Sequence, residues 1–568
     1  MELSTSRPRV LGWLRSAAFL DGDWGTSIAY VLGIGFALGG YASFWHLMMM
    51  LSLTALVAVN YMTICRLYPN GGGVYSSVYH RSRTFAVIGA LLLGADYVIT
   101  MSLSILEACH YFGLENAPIW AIALILCIGS FNWFGPKQTG GVALFISIST
   151  ILSLATIVAS SAPTALTSAY IEPLSGGFLK NWGIFAAIIL SISGIESISN
   201  MTGLMKDPTR DSRRAISAVL TKISIATVFL TLAMHAVPGL EGRTEDMLRF
   251  LGEHYVGEWF GWVIGLALGL LLLSAGNTAM NDLVNIQFLM AVDKELPQPL
   301  RLLNRYGMPI IPLVIATAAP VIILLIVHDV LILAHLYAIG VVGAILINIG
   351  STATDNSLGL KKKIRFMMMV SAVVLFFVEI SIAIEKPDAA LFAGVVLFVG
   401  LSARRLAQRK KAVPVPSVEV VTAPAYRNVR TGRKAPTAKF LVAMKTVSDR
   451  LLQFAIEEAK ARNALLYVLR IKEIAVGSLP EKLEFYGNGA ERKLAETLDT
   501  ADINYHVISI SSYEVGYTIA EQAATLGVDR LILGATQRTL VEKALRGDVL
   551  KTVSALLPEE IQLIIYRA

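Results

Sequence analysis

The chain has 568 residues, of which 55% are hydrophobic and only 16% charged, against roughly 25% charged in a soluble globular chain. Its 48 Lys and Arg exceed its 41 Asp and Glu, for a formal net charge of +7. Long apolar stretches fill 17–403 while 404–568 reads as ordinary soluble sequence, which excludes a uniformly soluble protein and divides the chain between lipid and water. Cys65, Cys109 and Cys127 lie in or beside apolar stretches without CxxC or Cys/His spacing, the pattern of buried small hydrophobes rather than of a metal or redox centre. Arg7, Arg9 and Arg15 precede the first apolar stretch, but no small-residue cleavage site follows a short apolar core, so no removable leader is expected.

A membrane helix needs about 20 mostly apolar residues. Such stretches occur at 17–38, 43–66, 84–111, 117–135, 140–161, 181–203, 215–237, 259–284, 309–328, 330–350, 365–384 and 388–403, an expected twelve spans within a transmembrane domain over 1–403. Basic residues gather in alternate connections. They are Arg7, Arg9 and Arg15 before the first span, Arg66, Arg81 and Arg83 after the second, and Lys206, Arg210, Arg213 and Arg214 after the sixth. Lys294, Arg301 and Arg305 follow the eighth span, and Lys361, Lys362, Lys363 and Arg365 the tenth; the connection after the fourth has only Lys137. The connection between spans seven and eight is acidic, with Glu241, Glu245, Asp246, Glu253 and Glu258 against Arg243 and Arg249. Because Lys and Arg stay on the inner side, both termini are expected to be cytoplasmic, in the cytoplasmic (inner) membrane.

The first span opens with Asp21, Gly22, Asp23, Trp24, Gly25, Thr26 and Ser27. An ionisable group inside a span costs about 2.5–3.5 kcal/mol on insertion scales and marks a pathway. Glycine lets the backbone unwind, and unwound carbonyls coordinate a cation where they line a cavity. The same residues also suit a polar N-cap made by Asp23 or Thr26 at the membrane surface. The sixth span carries a counterpart, Ser191 to Asn200, with Ser193, Gly194, Glu196, Ser197 and Ser199. Two interrupted spans five apart mark an inverted-repeat transporter with its site near the midplane, although Ser193 equally suits hydrogen bonding between helices. In the third span Tyr97, Thr100 and Ser104 share one helical face beside Asp96 and Glu107, and the eighth contributes Ser274, Asn277, Thr278 and Asp282.

Span interiors thus hold carboxylates and almost no Lys or Arg, which suits a cation. Partly dehydrated potassium needs hydroxyl and carbonyl oxygens, and a carboxylate such as Asp23 balances its charge or carries a coupled proton. No nucleophile elbow, metal-ligand cluster or intact P-loop is found, so no enzyme is expected. Matching broken spans favour alternating access over a channel or receptor.

The stretch Gly22 to Tyr30 resembles the Gly-Asp-(Ile)-Gly-Thr-Ser-Pro-Leu-Tyr signature of the KUP/HAK/KT potassium-uptake family, departing most at Ile28, where that family has Pro. Tyr68 to Tyr75, Asp96 to Thr100, Gly194 to Asn200 and Leu336 to Gly340 are similar in order to KimA-type potassium importers of the amino acid–polyamine–organocation superfamily. The resemblance implies a LeuT-type 5+5 inverted repeat and K+/H+ symport, usually as a homodimer. It places Asp23, Tyr30, Tyr97, Thr100, Ser104, Ser193 and Glu196 around the path of potassium and protons. Ser193 stands where that family has Thr, so the hydroxyl is kept. A proton-coupled amino-acid permease of the same superfamily is the alternative; there the break in span one holds a substrate carboxylate, which Asp23 would repel and Trp24 crowd. Glu379 in span eleven is a candidate to pair across a dimer interface.

The segment 404–437 mixes Pro414, Pro416, Pro424 and Pro436 with basic residues and reads as an extended linker. Its run Arg404, Arg405, Arg409, Lys410 and Lys411 is expected against anionic headgroups. Residues 438–568 alternate strands at Phe440–Lys445, Leu465–Leu469, Tyr505–Ser509, Arg530–Gly534 and Ile561–Tyr566 with helices near 447–462, 488–499, 514–526 and 538–556. Continuous Val, Ile and Leu runs fit a buried parallel sheet, and this soluble α/β domain resembles universal stress proteins. Those domains bind ATP through Gly-x2-Gly-x9-Gly-(Ser/Thr); here the positions are Gly534, Gln537, Gly547 and Asp548, and Met444-Lys445 replaces the usual acid. The resemblance leaves three roles for the tail: ATP or AMP binding, regulation by cyclic di-AMP, and a structural, dimerising part. No tightly bound cofactor and no nucleic-acid partner are expected.

Overall fold

Lipid offers no partner for an open N–H or C=O, so apolar chain of a bilayer's width must be helical. The computed structural model describes residues 9, 11–135, 140–240, 246–409, 427–428, 436–444, 449–475, 494, 497–501, 503–535 and 540–567. A helix, or a pair of half-helices, stands at each expected span. The first is α1 (Trp13–Asp21) and α2 (Ile28–Gly39), followed by α3 (Ser43–Leu67), a short α4 (Gly73–Tyr79), α5 (Arg83–Tyr111), α6 (Ala117–Asn132) and α7 (Gly140–Ser168). The sixth is α8 (Gly177–Ala187) and α9 (Ser197–Met201), followed by α10 (Pro208–His235), a short α11 (Met247–Tyr255), α12 (Glu258–Val292), α13 (Ile310–Ile326), α14 (Val330–Thr354), α15 (Lys362–Glu385) and α16 (Pro387–Arg409). Among the described residues eight helical stretches are long and apolar enough to cross a bilayer, and α6 and α13 are shorter apolar helices.

Several helices outrun their apolar stretch. Helix α10 starts at Pro208 rather than 215, and α12 ends at Val292 rather than 284. Backbone hydrogen bonding continues through polar residues once a helix leaves lipid, so hydropathy alone misplaces those ends. The same reason corrects the linker: α16 runs on to Arg409. Arg404, expected at headgroups, instead places Nε 2.6 Å from the buried Glu295 carboxylate.

Contacts sort the helix ends into two faces. At one, Leu11 N–H donates to Leu204 O (3.0 Å), Thr202 Oγ1 to Tyr68 O (3.1 Å) and Tyr75 OH to Asp293 Oδ2 (2.9 Å), near the Arg404–Glu295 pair. At the other, Tyr170 N–H donates to His235 O (2.9 Å), Glu172 N–H to Tyr41 O (3.1 Å) and Tyr255 OH to Ala233 O (2.8 Å). One hydrophobic core joins the helices, while Phe145, Leu179, Phe366 and Phe398 point outward, as lipid permits. Glu379 does not project outward to a dimer partner; its carboxylate lies against Gly343 on α14, within the chain.

The soluble domain is a six-stranded sheet of β1 (Arg427–Asn428), β2 (Ala438–Met444), β3 (Ala464–Glu473), β4 (Tyr505–Ser512), β5 (Arg530–Gly534) and β6 (Gln562–Tyr566) in the order β1-β4-β3-β2-β5-β6. All pairs are parallel except β1 with β4, so a strand also lies inside the expected linker. Strand period two sends Phe440, Val442 and Met444 into one core and Leu441 and Ala443 into the other. The flanking helices described are α17 (Asp449–Ala461), α18 (Val515–Leu526), α19 (Leu540–Arg546) and α20 (Val549–Leu556). The helix expected over 538–556 is two, broken where Gly547 takes a φ of 74°. The helix expected over 488–499 falls largely outside the described residues.

The soluble domain touches the bundle at the face that holds Arg404. Ala475, just beyond β3, donates its N–H to Gly307 O (3.0 Å), and Ile474 packs on Phe288 of α12, both fully buried. Arg546 and Glu473 form a buried pair (2.9 Å), the Arg546 guanidinium lies 5.9 Å from the Tyr306 ring centre, and Arg305 reaches Glu542 at 3.6 Å. Burial at this seam, with Arg301 adding repulsion, pushes the Lys472 ammonium below its ordinary range.

Candidate functional site

Between α1 and α2 the chain makes one turn of 3-10 helix, Trp24–Ser27. Its hydroxyls supply what the broken ladder lacks: Thr26 Oγ1 donates to Asp23 O, and Ser27 Oγ to Trp24 O (2.8 Å). These carbonyls are therefore already engaged, contrary to a simple picture of bare unwound carbonyls. Span six breaks likewise. A 3-10 turn at Ile189–Ile192 gives way to a turn over 193–196 before α9. Gly194 sits at φ 91°, and a Cβ there would lie 2.5 Å from Trp24 N, so the two breaks are in direct backbone contact.

Side chains converge around that contact. Ser197 Oγ donates to Asp23 Oδ2. The Gly194 N–H donates to both Glu196 carboxylate oxygens, at 3.2 and 3.1 Å, folding Glu196 back on its own break. From α5, Asp96 Oδ1 accepts Ser193 Oγ at 3.4 Å, while Asp96 Oδ2 is buried with no hydrogen-bond partner among the described residues. Thr100 Oγ1 donates to Asp96 O (2.9 Å), leaving its lone pairs open. Tyr30 of α2 and Tyr337 of α14 are both buried in the same region, close to Ser193. Asn200 Nδ2 donates to Tyr97 OH (2.9 Å) and to Asp282 Oδ2 of α12 (3.3 Å).

Of the expected residues, Asp23, Tyr30, Tyr97, Thr100, Ser193 and Glu196 are thus brought together. Ser104 is buried one turn beyond Thr100 on α5. Asp96, Ser197, Asn200, Asp282 and Tyr337 belong to the same cluster and were missing from the expected set. All stand in stretches already marked by polarity, but which faces meet is a tertiary fact. Asp23, Asp96 and Glu196 are each at most 5% exposed, whereas Asp282 is only partly buried. Asp23, Asp96, Glu196 and Asp282 lie close enough to repel one another, and such a cluster is stable only when cations or protons offset it. No three His, Cys, Asp or Glu converge in metal-ligand geometry among the described residues.

The interior lysine that the sequence underplayed is Lys222 of α10. Its Nζ lies 2.6 Å from Asp21 Oδ1, and Ser147 Oγ of α7 donates to Asp21 Oδ2 (2.6 Å). This pair neutralises itself and leaves the cluster's charge intact.

In the soluble domain Gly534 ends β5, Gly547 is exposed between α19 and α20, and Gln537 lies outside the described residues. Asp548 Oδ1 accepts the N–H groups of Leu550 (3.0 Å) and Lys551 (3.4 Å), so a fixed carboxylate already occupies the start of α20.

Apolar helices around two interrupted spans, with a polar cluster at the interruptions, define a multi-pass membrane transporter carrying a soluble α/β domain. Residues 11–400 match the family model described as amino acid permease, and the chain belongs to that family. Residues 437–558 match that of the universal stress protein family.

Proposed function

We propose that the chain imports potassium together with protons across the cytoplasmic membrane, with twelve crossings, both termini inside, and two inverted five-helix repeats followed by a final pair. The observation that carries this reading is the closed contact of the two breaks at Gly194 and Trp24. An amino-acid substrate needs free amides there for its carboxylate; it would meet the Trp24 backbone, a buried indole and the Asp23 carboxylate instead. A small cation needs only oxygens, and the cluster supplies carboxylates, hydroxyls and the unpartnered Asp96 Oδ2. Protons and potassium ions together offset its charge. A half-loaded carrier would have to move uncompensated buried charge, which couples the two fluxes.

The amino-acid reading keeps one support, the description of the matched family. Uptake into proteoliposomes under an imposed proton gradient separates the two. Rubidium uptake that is lost in Asp23→Asn supports potassium symport, and amino-acid uptake without rubidium flux overturns it. For the soluble domain, the Asp548 cap argues against an ATP phosphate at α20. ATP and cyclic di-AMP are the nucleotides to titrate against rubidium flux, and a structural, dimerising tail would respond to neither.

A further inference from the structure

Helices α1 and α10 bound a cavity of about 540 Å³ lined by Trp13, Thr209, Arg210, Arg213, Arg214 and Ser217. The α10 residues form one outward face, while Pro208, Asp211, Ser212, Ala215, Ile216 and Val219 bury the opposite one. The outward face continues to Thr221 and to Ile225, which is 52% exposed on the apolar part of the helix. The three arginines therefore sit where a lipid-facing helix leaves the hydrocarbon, on the membrane face that carries the soluble domain. No ion pair or side-chain hydrogen bond engages any of them among the described residues. The helix start is not itself the ligand site, since Asp207 Oδ1 accepts the Arg210 N–H (3.0 Å) and Asp211 Oδ2 that of Asp207 (3.1 Å). On α1, Trp13 and Leu14 are exposed beside Arg15, the composition of an interfacial anchor.

We propose that this cavity binds the headgroup of an anionic phospholipid. The Arg210, Arg213 and Arg214 guanidinium groups take the phosphate, the Thr209 and Ser217 hydroxyls face the polar headgroup, and the Trp13 ring lies against the start of the acyl chains. Continuity with the lipid-facing surface selects a lipid over a soluble phosphate. Helix α1 ends at Asp21, which α10 already grips through Lys222. A bound lipid thus fastens the other end of the same half-span that leads to Asp23. The assignment does not depend on which cargo is carried.

The test uses the full chain in nanodiscs of phosphatidylcholine with or without phosphatidylglycerol. Native mass spectrometry after detergent release reads the lipid retained, and thermal melting reads its effect. The triple variant Arg210→Gln, Arg213→Gln, Arg214→Gln is expected to bind phosphatidylglycerol roughly a hundredfold more weakly. It should melt like wild type in phosphatidylcholine alone and lose the added stability that phosphatidylglycerol gives. Ser217→Glu, which sets an anion at the cavity without touching the packed face, should lose retention too and serves if the triple variant folds poorly. Equal retention in wild type and Ser217→Glu overturns the proposal. Complete displacement of the lipid by inorganic phosphate or glycerol phosphate would assign the cavity to a soluble anion and overturn it as well.

Discussion

Asp21 and Asp23 stand two residues apart and do opposite work. Asp21 is 2% exposed and paired with Lys222, itself 11% exposed. Removing one partner of a buried pair strands a charge, at about 3–5 kcal/mol. Lys222→Met is accordingly expected to lower the melting temperature in detergent markedly, while Asp21→Asn with Lys222→Met should recover most of it; a double variant as unstable as the single one would refute the pairing. Asp23 instead accepts a hydrogen bond from the Ser197 hydroxyl. Asp23→Asn should keep the fold, since the amide still accepts that hydrogen bond, and abolish gradient-driven flux. Sequence placed both acids in one polar stretch. It singled out Asp23 for the ion path but gave Asp21 no role, because the partner of Asp21 is Lys222, two hundred residues on.

The element that matters most is the interrupted helix of span six. Gly194 combines a left-handed φ with contact against the Trp24 backbone. Gly194→Ala therefore meets strain of roughly 1–3 kcal/mol and a steric clash that no rotamer relieves. Loss of flux exceeding the loss of protein is the expected outcome, read by comparing rubidium uptake with the amount of monodisperse protein. Wild-type flux in that variant would mean that the two breaks separate freely. The breaks were legible as elements, since glycine, acids and hydroxyls inside an apolar run have few other uses. Their mutual contact was not, nor were the helix ends that continue past the apolar residues.

At the scale of the whole molecule, the seam links the soluble domain to α12, which carries Asp282 about two turns from Phe288. The seam stands on the buried Ile474–Phe288 contact, the Ala475–Gly307 hydrogen bond and the Arg305–Glu542 pair at its edge. Ile474→Asp puts a carboxylate against Phe288 and should free the domain. Hydrogen exchange is then expected to accelerate at Ala475 while the β2–β5 pairing stays protected. An unchanged rate at Ala475 would show that the seam holds without this contact.

Sequence by itself determined the division between lipid and water, the helical character of the first and the strand pattern of the second, and the two polar interruptions. Each follows from local chemistry: hydropathy, strand periodicity, and the cost of burying polar groups in an apolar run. Only the tertiary structure decided that the interruptions touch, that Asp96, Asp282, Asn200 and Tyr337 join the cluster, that Lys222 answers Asp21, and that Arg404 pairs with Glu295 rather than with headgroups. These are pairings between residues tens to hundreds of positions apart. A sequence states which groups need a partner, and the packing of helices fixes which partner each receives.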